Sequence, residues 1–232
     1  MTQGLDIFDP KTIPIKEVLH EASPVHPSKL DADAIRERFA KTLAWQPEIT
    51  DESRLVLAND AALSRGKKEL IPAAVLIPLV ISKDGLSVLL TQRTDHLHEH
   101  PGQISFPGGR SEKEDFDALA TALRESQEEI GLDSSRVEYL GQLPDYLTVT
   151  GYRVTPVVGL LTPPEFYVPD PFEVAEIFHV PLSFLMDPAN HQLREWQSPT
   201  GQRQFYAMPF EDRFIWGATA GMLRNLYHYL RV

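Results

Sequence analysis

Residues 73–82, AAVLIPLVIS, form an apolar run rich in β-branched residues, followed by Lys83-Asp84-Gly85 and a second run, LSVLLTQR. Two such runs joined across Asp84-Gly85 read as a β-hairpin, so the chain must build a sheet around them. Further strands are expected within residues 136–161, on both sides of Thr150-Gly151-Tyr152. Residues 173–187 read as a strand running into a short helix. Residues 193–209 read as a second hairpin that turns at Pro199, Thr200 and Gly201. Between these lie helical patterns. Residues 28–43 predict a helix capped near Asp31, with Ile35, Phe39 and Leu43 on one face. Residues 116–130 predict another, with Asp115 as N-cap and Gly131 as C-cap. A terminal amphipathic helix is expected over 216–230. Strands, hairpins and helices that interleave in this way imply an α/β chain, a mixed sheet flanked by helices.

A chain of 232 residues suits one large domain with or without an extension. Residues 1–70 are mixed and proline-rich. They read as an arm packed on a main domain of residues 71–232, with no core of its own. The net charge is −11, with a pI near 5.2. That argues against a nucleic acid or an anionic membrane surface as partner. A small anionic substrate remains compatible, because a bound dication reverses the local field. With no cysteine there is no disulfide, no Cys-type zinc site and no cysteine nucleophile. The first residues lack an apolar signal core, and no run of 18 apolar residues occurs, so the expected address is the cytoplasm. A homodimer stays open.

The chemistry is concentrated in residues 116–130. On a 3.6-residue helix, Phe116, Leu119, Ala120, Leu123 and Ile130 form one stripe and are expected to face the core. Glu125, Glu128 and Glu129 stand at i, i+3 and i+4, so their carboxylates are expected to share another face. Ala118 and Ala122 are expected to continue that face and leave room above it. Clustered carboxylates on small-residue ground suit a hard cation such as Mg²⁺, which takes oxygen ligands and keeps several waters. A solvated acidic face is the plainer reading of ESQEE alone.

Its surroundings decide otherwise. The stretch GGRSEKEDFDALATALRESQEEIGL resembles the Nudix box, matched here by Gly109, Asp115, Arg124, Glu125, Glu128, Glu129, Gly131 and Leu132. Aspartate replaces the first glutamate, one extra residue precedes Arg124, and Ser126 stands where an aliphatic residue is usual. The extra residue, with the upstream LLTQRTDHLHEHPGQISFPGG, is similar to the coenzyme A pyrophosphatase branch of Nudix hydrolases. The upstream match is Leu89, Leu90, Thr91, Arg93, Gly102, Phe106, Pro107, Gly108 and Gly109, with departures at Thr94 and His98. The strong resemblance covers about residues 85–135 and leaves out the first 70.

The resemblance implies a Nudix-type α/β/α sandwich that hydrolyses a nucleoside diphosphate linked to another moiety, with Mg²⁺ or Mn²⁺. In the branch the substrate is coenzyme A or a derivative, cleaved to 3′,5′-ADP and 4′-phosphopantetheine. Alternatives are another nucleoside diphosphate derivative, such as ADP-ribose or a dinucleotide, and a non-catalytic nucleotide sensor on the same scaffold. Glu125, Glu128 and Glu129 would hold the metals, and one of them or Glu173 would take the water's proton. Arg124 stands i, i+4 from Glu128 and is expected to pin a neighbouring glutamate. Arg93 either binds phosphate or pairs structurally. Gly108 and Gly109 turn the backbone tightly into the box beside the substrate. Trp216 and Tyr152 are expected to pack in the core or in loops.

His96, His98 and His100 alternate, a spacing that on a strand would suit zinc. Pro101-Gly102 breaks any strand there, and the resemblance places the stretch in a substrate-facing loop. The expectation is no zinc site, with His98 the histidine that touches phosphate.

Overall fold

The computed structural model describes residues 8–20, 22–41, 44–62, 69–97, 101–198 and 201–232. An edge strand β1 (Ile15–Val18) and helices α1 (Ala32–Ala40) and α2 (Asp51–Ala62) precede the long hairpin of β2 (Ile71–Ser82) and β3 (Gly85–Arg93). Short strands β4 (Ile104–Ser105) and β5 (Gly108–Arg110) lead into α3 (Ala118–Ile130). Then come β6 (Val137–Gln142), β7 (Tyr146–Leu147) and β8 (Tyr152–Leu161), and β9 (Val174–Pro181) with the single turn α4 (Leu182–Leu185). The hairpin of β10 (Gln192–Ser198) and β11 (Gly201–Phe210), β12 (Arg213–Trp216) and α5 (Gly217–Arg231) complete the fold.

The expected mixed sheet is centred on β2. It runs parallel to β8 from Ile71 to Val80 and antiparallel to β3 and β5 on its other edge. Its apolar run is continuous because both faces are covered. Ala74, Leu76 and Val80 pack under α3, with Ala122, Ile130 and Val157. Ile77 and Leu79 point the other way, into a larger core with Leu223, Leu226 and Tyr227 of α5. Pro78 costs no ladder bond, since it falls after β5 stops at Val75 and before β3 begins at Leu79. The two-residue turn is Lys83-Asp84, with Gly85 opening β3 at φ +108°.

Residues outside the central sheet depart more from the sequence reading. β10, β11 and β12 form a second antiparallel sheet, and β1 from the arm pairs with β10 as its fourth strand. The tip of the β10–β11 turn, Pro199 and Thr200, lies outside the described residues. Asp31 caps α1 as expected, through the Ala34 N–H, and Ile35 is buried; Leu43 lies outside the described residues. Val25 and Ile35 pack into the main core. Helix α2 was not anticipated, because DESRLVLANDAA carries no clear apolar stripe.

A partly buried polar network fastens residues 44–62 to α5. The Glu48 carboxylate accepts from Arg224 Nε (3.0 Å), His228 Nε2 (2.8 Å) and the Tyr206 hydroxyl. Burial pushes Glu48 up, but these partners outweigh it and hold it down at about 2. Behind Arg224 lies His191, fully buried. Its Nε2–H donates to the Leu185 carbonyl (2.8 Å), which leaves Nδ1 to accept from Arg224 (3.2 Å). Burial lowers His191 to about 4, with Arg224 and His228 adding to the drop and the Leu185 carbonyl and Asp187 opposing it. Between pH 6.5 and 4 the unfolded chain therefore binds a proton that the folded chain refuses. Stability must fall as pH falls through that window, by about 3 kcal/mol from this residue. Chemical denaturation at pH 7 and pH 4.5 tests this. The expected outcome is a smaller loss in His191→Gln than in wild type, and equal losses would assign the effect elsewhere.

Candidate active site

Helix α3 begins two residues later than its sequence suggests. Asp117, not Asp115, is the N-cap, accepting from the Ala120 N–H at 2.8 Å. Gly131 ends the helix as expected. It adopts φ +67° and donates to the Gln127 carbonyl, the αL type of closure, while Leu132 N–H reaches back to Ser126. The buried face also differs. Thr121, Ala122, Ser126, Glu129 and Ile130 are buried, whereas Phe116 is 87% exposed. Ala122 is core, so it leaves no open ground beside the carboxylates. Ser126 occupies a helix-core position because its hydroxyl donates to the Ala122 carbonyl (2.6 Å) and so needs no other partner.

The three glutamates that were expected on one face differ in burial. Glu129 is 5% exposed and accepts from the Gly108 N–H (3.2 Å). Glu125 is half-buried against Gly109, where a Cβ would lie 2.6 Å from the carboxylate. Glu128 stands out in solvent. Burial pushes Glu129 up to about 8, Glu125 and Glu173 add to the rise, and the Gly108 N–H and Arg93 oppose it. Glu125 is also raised by burial, against the pull of Arg124.

Arg124 ties the acidic group together. It contacts Asp115 through two nitrogens (2.9 and 3.1 Å), Glu125 (2.9 Å), Glu128 (3.2 Å) and the Arg110 carbonyl (3.0 Å). The hydrogen bonds from Arg124 hold the Asp115 carboxyl down at about 2. Asp115 also accepts from Thr121 (3.0 Å) and from the Glu112 N–H (2.9 Å). Two departures from the usual box thus have one geometric reading. Aspartate is a methylene shorter than glutamate, and the extra residue before Arg124 lets the loop carry its carboxylate to the guanidinium.

The two glycines do different work. Gly108 has φ +150° and stands where a Cβ would come within 2.4 Å of the Ala74 carbonyl oxygen, inside the β2–β5 pairing. Gly109 is bare so that the Glu125 side chain can lie on it. Both line a cleft of about 1150 Å³, together with Arg93, Gln103, Tyr152 and Trp216. Arg93 makes no ion pair or side-chain hydrogen bond among the described residues, and its field reaches Glu129. Glu173 lies just ahead of β9, its carbonyl bonded to Thr94 N–H (3.0 Å), and its charge is felt at Glu125 and Glu129. Tyr152 and Trp216, expected in the core or in loops, face this cleft. His96 packs edge-on against Phe172 at 4.8 Å, while His98 and His100 lie outside the described residues.

Among the described residues no three His, Asp or Glu side chains stand as a closed ligand set for a metal. The reason is visible in the bonding, since Arg124 draws Glu125 and Glu128 to itself and Glu129 turns to Gly108. The donor chemistry still suits a dication. The charge of Glu173 raises the proton affinity of both Glu125 and Glu129, Glu125 also raises that of Glu129, and a hard cation relieves that repulsion.

A family model described as NUDIX domain matches residues 70–202, and the chain belongs to that family. It is a hydrolase of phosphoric anhydrides, of the kind that acts on nucleoside diphosphate-linked substrates. A Nudix hydrolase NudL from Enterobacter sp. (strain 638) is 40% identical over 154 residues, which cover 66% of this chain and 80% of the relative. The NudL of Escherichia coli (strain K12) matches with the same identity and coverage. Among solved structures, the Nudix hydrolase RenU from M. smegmatis aligns at 22% identity over 50% of this chain and 73% of that one, with a TM-score of 0.43. The NUDIX domain of Shewanella oneidensis NrtR, complexed with ADP ribose, aligns at 20% identity over 54% and 83%, with a TM-score of 0.40. No helix among the described residues is long and apolar enough to cross a membrane.

Proposed function

We propose that this chain is a Mg²⁺- or Mn²⁺-dependent pyrophosphohydrolase of coenzyme A or its derivatives, releasing 3′,5′-ADP and 4′-phosphopantetheine. The supporting observation is the run from Arg93 through Gly102 and Phe106 to Gly109, whose residues Arg93, Phe106, Gly108 and Gly109 line the cleft beside the carboxylates. In this reading residues 71–232 carry the hydrolase domain, and residues 1–70 are an extension that supplies part of the cleft wall.

When bound, the dication would neutralise the diphosphate and polarise its P–O bonds. Glu125, Glu128 and Glu129 would hold it, with Glu128 turning inward from Arg124. Arg93, which makes no ion pair among the described residues, would bind a phosphate oxygen, and His98 would contact the substrate. Arg124, anchored by Asp115, would position Glu125 instead of touching substrate. One of these glutamates, or Glu173 ahead of β9, would take the proton of the attacking water.

The test is a substrate panel with the full chain and Mg²⁺ or Mn²⁺, with products identified by mass. Coenzyme A should yield 3′,5′-ADP, and chelation should stop the reaction. A kcat/KM for ADP-ribose more than about tenfold higher would move the assignment to that substrate, a gap of about 1.4 kcal/mol. Binding without turnover of any panel member would favour the sensor reading.

A further inference from the structure

The cleft does not end at the phosphate side. It runs from Gly108 and Gly109 to a group of four aromatic rings drawn from separate parts of the chain. Phe8 comes from the arm, Trp196 from β10, Phe205 from β11 and Trp216 from the end of β12. Their centroids close a circuit: Phe8–Trp196 5.2 Å, Trp196–Phe205 5.6 Å, Phe205–Trp216 5.4 Å and Phe8–Trp216 6.0 Å. None of the four belongs to either packed core, nor packs against one from its margin. Core packing therefore does not account for them. Phe8 is 44% exposed, and the other three are only half-buried.

We propose that this aromatic wall is the subsite for the planar base of the nucleoside diphosphate substrate, with Phe8, Trp196, Phe205 and Trp216 determining specificity. The inference rests on the hydrolase reading above for its substrate class. Three observations favour a base as occupant. Aromatic side chains offer flat faces that attract another ring system. Thr148, Thr150 and Gln204 line the same cleft, giving polar groups that a base edge uses and a hydrocarbon chain does not. The wall is continuous with the glycines beside the carboxylates, and about 1150 Å³ exceeds the ~300–1,000 Å³ that holds an ordinary small ligand. A substrate with a moiety on each side of its diphosphate needs that length. Phe8, Phe205 and Trp216 all fall outside residues 70–202, the segment that the family model matches. The phosphate end thus belongs to the family segment, while the base end is built largely by the arm and the second sheet.

Tryptophan fluorescence of the full-length, metal-free protein tests the assignment. Two of its three tryptophans stand in the wall, and the third, Trp45, packs on Tyr229 elsewhere. The probes are 5′-AMP, ribose 5-phosphate, which lacks the base, and pantetheine. AMP should change the emission at concentrations where the other two do not. Phe8→Ala, on an exposed ring, and Trp216→Leu should each weaken AMP binding by roughly tenfold to a hundredfold, the range for one base–aromatic stack. Their melting temperatures report whether each variant is folded. During turnover the loss should fall on KM more than on kcat, as for an interaction kept from ground state to transition state. Equal binding of AMP and ribose 5-phosphate, a response to pantetheine alone, or undiminished AMP binding in folded Phe8→Ala and Trp216→Leu would each overturn the proposal. If coenzyme A is not cleaved but AMP still binds through these rings, the coenzyme A assignment falls and the base subsite stands.

Discussion

Glu129→Gln should lose roughly a thousandfold or more in kcat while the metal-free protein remains as stable as wild type or becomes more so. The expectation starts from burial. Glu129 is 5% exposed, and burial holds it protonated up to about pH 8. Glutamine has the shape of that neutral acid, and its Oε1 can still accept from the Gly108 N–H. The variant therefore keeps the local bond and stays neutral at every pH, so it never carries the charge that Glu125 and Glu173 oppose. The sign is definite. The folded pKa is above the ordinary glutamate value, so this residue's contribution to stability is present below about 4.5 and lost as pH rises through 8. Metal-free Glu129→Gln should thus gain on wild type between pH 5 and pH 8. Catalysis should go the other way, because a lost metal ligand removes several kcal/mol of charge stabilisation, about a thousandfold or more in rate. Added Mg²⁺ should raise the melting temperature of wild type and do so less for the variant. Retention of more than about a tenth of wild-type kcat, or a metal-free melt well below wild type, would remove Glu129 from the site.

Gly108→Ala and Gly109→Ala should separate stability from activity at adjacent positions. At Gly108 the new Cβ meets backbone, 2.4 Å from the Ala74 oxygen and 2.5 Å from the Val75 Cα, and φ is +150°. Neither obstacle can move without opening the β2–β5 pairing. Strain and overpacking together should cost about 3–5 kcal/mol, a fall of roughly 6–20 °C in melting temperature for a chain of this size. At Gly109 the nearest atoms to the new Cβ belong to the Glu125 carboxylate, at 2.6 Å, and that side chain can swing aside. Gly109→Ala should melt within about 3 °C of wild type, as a substitution that only displaces a side chain should. Its activity should fall because Glu125 is displaced from the site. A Gly108→Ala protein that melts like wild type would show that the β2–β5 approach is looser than these distances imply.

Periodicity and turn chemistry are local, and they made much of the fold legible. The apolar run 73–82 and the Lys83–Gly85 turn became the β2–β3 hairpin, and the run is continuous because both faces of the central strand are covered. Gly131 ends α3 as its conformational freedom suggests. The order Asp115, Arg124, Glu125, Glu128, Glu129 marked the acidic group before any distance was known. The helix phase was misread for a physical reason. Counting Phe116 as the first core residue assumed that the large apolar side chain must point inward, yet the helix has not begun there. Glu129 and Ser126 occupy core positions because Gly108 and the Ala122 carbonyl satisfy them. A hydropathy pattern registers neither a partner on another strand nor a hydroxyl bonded back to a carbonyl of its own helix.

Local chemistry, written into the sequence, determined that this chain has a mixed sheet, a capped acidic helix and a glycine pair ahead of it. Non-local contacts decided the rest. Only the tertiary structure buries Glu129 while leaving Glu128 exposed, bonds Asp115 to Arg124 instead of to a helix end, and leaves Arg93 in the cleft without an ion pair among the described residues. Only the tertiary structure brings Phe8 beside Trp196 and Trp216, because strand β1 pairs with β10 more than 170 residues away. Aromatic residues so far apart in sequence carry no signal of one another, since the register of distant strands is set by how whole faces bury against each other.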